Sequence, residues 1–129
     1  MTTTPSPAPA ALMLFRIAAG ASAAVALTLG VLGSFMDADG VRGVHATLAM
    51  VFLVLSLVAG IVSFVYARAI GRKGIGMHGL SVFVLAIAQY GMGELYWTIP
   101  HIVLGLAIVL AAGALFSLSM RLAAHAAGA

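Results

Sequence analysis

The sequence predicts an all-α protein, a transmembrane up-down-up-down four-helix bundle. Three observations lead there. Hydrophobic residues make up 64% of the chain and charged residues 7%, against roughly a quarter charged in an ordinary soluble domain. So few charges cannot cover a water-facing surface, so most of the exterior must face lipid, as the mean hydropathy of +1.20 also says. The apolar residues fall in four runs, each near the ~20 residues that cross a bilayer. Together with short connections, these runs take up the 129 residues and leave no room for a soluble domain.

The elements follow in order. Residues 1–10, MTTTPSPAPA, are polar and Pro-rich, and read as a flexible tail. The lead has no positive n-region, and the apolar run continues past Ala21-Ser22-Ala23, so this is an uncut first helix over about 11–35 rather than a signal peptide. Asp37-Ala38-Asp39-Gly40 is a turn. The second helix is expected over about 41–68, and a flexible basic loop over 69–76. The third spans about 76–91, where Gly91-Met92-Gly93 is expected to fray its end. Glu94–Trp97 reads as an interfacial connection with its aromatics at headgroup depth. The fourth helix is expected over about 97–121, with Pro100 in its first turn, where a missing N–H is tolerated. A short tail, 123–129, closes the 11–122 transmembrane domain.

The charges orient the bundle. Arg16, Arg68, Arg72, Lys73 and Arg121 fall at one end, and Asp37, Asp39 and Glu94 at the other, with Arg42 the exception. The positive-inside rule then predicts a multi-pass protein of a bacterial inner (plasma) membrane with both termini cytoplasmic. The net charge of +3 is spread over helix ends, so it reads as topology and not as a nucleic-acid surface. With no cysteine, disulfides, iron–sulfur clusters and thiolate ligands are excluded.

Few polar groups lie at membrane depth, and each is a functional candidate. His45 and His101 sit about one turn into the second and fourth helices from the acidic end, at similar height. In an up-down bundle those helices are diagonal, so the two imidazoles can point at each other across the axis and ligate opposite faces of one haem iron. The residues one turn further in, Ala49 and Gly105, are small and leave space for a macrocycle; close helix packing explains small residues equally. Arg42, one turn outside His45, suits a haem propionate, or snorkels at the interface beside Asp37 and Asp39. Gln89 is a candidate for hydrogen bonding to a ligand or to either histidine. His78 lacks a partner at its depth and reads as interfacial. Two histidines without a convergent thiolate or carboxylate make a poor zinc site, whereas haem b asks only two axial ligands of the protein. No nucleophile–base pair, phosphate loop or carboxylate dyad supports a hydrolase or transferase.

The segments GVRGVHATLAMVFLVL and YWTIPHIVLGLAIVL resemble one four-helix half of haem A synthase, in which histidines on the second and fourth helices bind haem b. They are also similar to small bacterial four-helix membrane proteins carrying the same two histidines. The resemblance covers about residues 11–122 and implies that His45 and His101 are axial ligands. The family has an acidic residue one turn before the second-helix histidine and an arginine after it; here those places hold Arg42 and Ala46. The family's hydroxylation chemistry is therefore not implied. The expectation is a small membrane cytochrome b, an electron-transfer or haem-binding subunit embedded in lipid beside a membrane protein partner or a second copy. The competing expectations are a cofactor-free accessory subunit of a larger membrane complex and, with less support, a small transporter protomer.

Overall fold

The computed structural model describes residues 9–127 and contains four helices: α1 (Pro9–Gly33), α2 (Val41–Ala69), α3 (Lys73–Glu94) and α4 (Thr98–Ala127). At ~1.5 Å per residue even the shortest, α3 with 22 residues, is longer than the ~30 Å apolar core of a bilayer. All four are long and apolar enough to cross a membrane. The expected N-terminal tail falls mostly outside the described residues, and Pro9 and Ala10 already belong to α1.

Two helices are longer than the sequence suggests. α3 runs straight through Gly91 and Gly93 to Glu94 and begins at Lys73, so the expected eight-residue loop shrinks to Ile70–Arg72. Glycine weakens a helix in water, but in lipid an unpaired backbone group has no solvent to turn to, and the helix persists. α4 continues through the expected tail to Ala127, where alanine, the strongest helix former, dominates. His125 reinforces this last stretch by donating from Nδ1 to the Arg121 carbonyl at 2.7 Å.

The short links are closed by two matching caps. At the end of α2, Arg72 N–H donates to Ala67 O at 2.8 Å and Gly71 N–H to Arg68 O at 3.3 Å. Gly71 has φ +71°, the left-handed conformation this pattern requires. At the end of α3, Trp97 N–H donates to Met92 O and Tyr96 N–H to Gly93 O. Here the left-handed position is held by Tyr96, at φ +58°.

The packing is a square. α1 packs on α2 and α4, and α3 on α2 and α4, while neither diagonal pair, α1 with α3 or α2 with α4, is in contact. The inward stripes below the two histidines, Phe52, Ser56, Ala59 and Ser63 on α2 and Ile108, Ala112, Leu115 and Ser119 on α4, are all buried. The core has two layers. One, toward the basic end, is built on Phe15, Ala19, Ala59, Tyr66 and Leu115. The other, toward the acidic end, is built on Ala26, Phe52, Val82, Ala86, Ile108 and Ala112. Large apolar side chains such as Val54, Val65, Leu106 and Leu110 stay exposed, which is the arrangement a lipid-facing surface calls for.

α2 and α3 meet most closely, through small residues. A Cβ added at Gly60 would stand 3.2 Å from the Gly79 carbonyl oxygen, and one added at Gly76 would stand 2.9 Å from the Phe64 Cα. One added at Gly79 would run directly into Ser63 Oγ. Without a hydrophobic force between helices in lipid, such backbone approach is a main source of cohesion.

Candidate functional site

His45 is the fifth residue of α2 and His101 the fourth of α4. Both helices start at the acidic end, so both imidazoles lie about one turn in, just outside the core layer of Phe52, Val82 and Ile108. Each is the outermost member of its helix's inward stripe, and each is half-buried. Although the backbones of α2 and α4 stay apart, the two rings are 6.3 Å apart between centroids and tilted by 52°.

The protons of the site are partly determined. His101 Nδ1 lies 3.0 Å from the main-chain oxygen of Gln89. A carbonyl can only accept, so Nδ1 carries the proton and Nε2 is left with its lone pair. A metal-binding histidine is commonly set up this way, with its second nitrogen tied to a carbonyl. The sequence makes Gln89 a candidate through its side chain, whereas the link to His101 runs through its backbone oxygen. His45 Nδ1 and Gln89 Oε1 are buried and have no hydrogen-bond partner. Unpaired buried polar atoms are uncommon and costly; two of the four among the described residues belong to this site, the others being Arg16 Nε and Ser22 Oγ on α1.

The space around the rings differs in detail from expectation. Ala49 is half-buried one turn below His45. At Gly105 the gap is filled by protein, since a Cβ there would stand 2.8 Å from Gln89 Nε2. In this fold Gly105 makes room for the Gln89 amide. Two glycines that the sequence reading did not single out flank the rings instead. A Cβ at Gly93 would lie 3.2 Å from His101 Cε1, and one at Gly33 would lie 3.9 Å from His45 Cε1. Their recurrence at the acidic ends of α1 and α3 was the available signal. Arg42 is exposed on the outer turn of α2.

His78 has a partner on the neighbouring helix. Its Nε2 donates to the Ala111 carbonyl of α4 at 2.9 Å, so it fastens α3 to α4. Among the described residues no group of three or more His, Cys, Asp or Glu converges, so the histidine pair stands without a third such side chain. No family model, curated protein or solved structure matches this chain.

Proposed function

We propose that this protein is a small membrane cytochrome b, holding one haem b between α2 and α4 with His45 and His101 as axial ligands. The observation that carries the reading is the ring separation. Two imidazoles bound to opposite faces of one metal ion through bonds of about 2 Å place their centroids about 6 Å apart, and the pair stands at 6.3 Å. The Gln89 carbonyl supports it by holding the proton on His101 Nδ1, and the unpaired His45 Nδ1 marks a site whose polar groups are not satisfied by the protein alone. When bound, haem would supply reversible one-electron transfer at a potential governed by its axial ligands and burial.

The chain's own residues have separate tasks. His45 and His101 present nitrogen lone pairs from opposite sides of the bundle. Gly33 and Gly93 keep side chains off the edges of the rings. Ala49 leaves the turn beneath His45 small, and on the other side the Gln89 amide lies against Gly105. Arg42 offers a charge-assisted hydrogen bond to a carboxylate at the acidic end. The positive-inside rule puts that end outside and both termini in the cytoplasm of a bacterial inner membrane.

The test is the colour of the purified protein. Material from haem-replete cells is expected to show a Soret band and an α band that sharpens on reduction, with about one haem per chain. His45→Ala and His101→Ala should each abolish it. Colourless wild-type protein, or haem content unchanged in both variants, overturns the assignment and favours a cofactor-free accessory subunit.

A further inference from the structure

At the opposite end of the bundle, a cavity of about 230 Å³ opens between the start of α3 and the last turns of α4. Arg72, Arg121 and His125 form its polar side, and Ile75, Leu118 and Leu122 its apolar side. Ile75 is buried, Leu118 and Leu122 are half-buried, and both arginines are exposed. Leu118 and Leu122 are one turn apart on α4; Leu122 stands beside Arg121, and Leu118 lies one turn closer to the middle of the membrane.

The charge around this cavity is of one sign. Lys73 follows Arg72 directly and Arg68 precedes it by one turn. The three carboxylates, Asp37, Asp39 and Glu94, are all at the far end of helices that are 22 or more residues long. They are therefore several Debye lengths away along the bundle, and among the described residues no carboxylate side chain lies near Arg72 or Arg121. Two unbalanced guanidinium groups above an apolar wall at an interface match a phosphodiester attached to acyl chains. Basic pockets between helices recognise lipid headgroups by this combination of charge and depth.

We propose that this cavity binds one anionic phospholipid, its phosphate held by Arg72 and Arg121 and an acyl chain lying along Leu122, Leu118 and Ile75. Arginine's planar fork suits phosphate oxygens better than a point charge does. The site is independent of the histidine pair, which lies at the other end.

Native mass spectrometry of the full chain released from detergent tests this, with phosphatidylglycerol, phosphatidylcholine and inorganic phosphate as separate probes. One phosphatidylglycerol should be retained at least about tenfold more strongly than phosphatidylcholine, since each basic residue adds on the order of 1 kcal/mol. The Arg72→Gln/Arg121→Gln double variant should lose that preference. Leu118→Trp should lose it too while keeping every charge, because it fills the apolar wall. Arg68→Gln, at the same end but outside the cavity, should keep it. Helicity by circular dichroism shows that each variant is folded. Unchanged preference in the double variant overturns the proposal, as does equal loss in Arg68→Gln. Inorganic phosphate competing as well as the lipid would assign the site to free phosphate and overturn the lipid.

Discussion

His45 and His101 stand on two diagonal helices whose backbones stay apart, yet their rings lie 6.3 Å apart across the bundle axis. The helices between them, α1 and α3, each pack on both α2 and α4 and hold the square open. The four predictions below probe this arrangement and the packing beneath it.

The histidine pair is expected to respond to ligand chemistry. His101→Met should retain haem and raise its reduction potential, because a His/Met pair favours the reduced state relative to two histidines. A spectroelectrochemical titration reads the shift. Gln89→Leu should leave haem content unchanged, since the bond to His101 Nδ1 comes from the main chain at residue 89. Loss of haem in Gln89→Leu would show that the amide, and not the carbonyl, supports the site.

His78 should behave as a structural histidine. Its bond to Ala111 O joins α3 to α4, and interhelical hydrogen bonds in membranes are worth about 0.6–1.7 kcal/mol. His78→Ala is expected to lower stability by about 1 kcal/mol in a denaturing-detergent titration, with haem stoichiometry untouched. A coupled loss of haem would contradict this division of roles.

The seam between α2 and α3 should tolerate no added bulk. Gly79→Ala drives a methyl into Ser63 Oγ, and overpacking typically costs about 1–3 kcal/mol. Gly74→Ala, on the same helix with no atom within 4 Å of the new Cβ, should instead gain up to about 1 kcal/mol of helix propensity. Opposite signs for two Gly→Ala changes five residues apart, in one unfolding assay, are the expected result.

The two caps make a matched pair of backbone tests. Gly71→Ala forces a Cβ into a left-handed position and should destabilise by about 1 kcal/mol. Tyr96→Gly removes a Cβ from the same kind of position. Tyr96 is 87% exposed, so little packing is lost, and stability should hold or rise. A large loss on Tyr96→Gly would mean that the aromatic ring anchors the turn.

Much of this was legible along the chain. Four apolar runs stood out because a bilayer demands about 20 apolar residues per crossing. The ends were less legible. Glycine and alanine at 91, 93 and 123–127 suggest a loop or tail by the habits of soluble proteins, whereas the structure keeps the backbone helical there. The tyrosine in a glycine's place at the end of α3 carries no sequence signal, because its conformation is imposed by the hydrogen bonds from residues 96 and 97 to Gly93 and Met92.

Composition and spacing by themselves determined the four membrane-long helices, their up-down order and the common depth of His45 and His101, since these depend only on hydropathy and on rise per residue. Tertiary structure alone decided which side chains and carbonyls meet. It tied His101 to the main chain of Gln89, filled the gap over Gly105 with that residue's amide, set Gly33 and Gly93 beside the rings, and turned His78 toward Ala111. Those contacts join residues eight or more positions apart on different helices, so rotation of each helix about its own axis fixes them. That rotation is set by the packing of all four helices together.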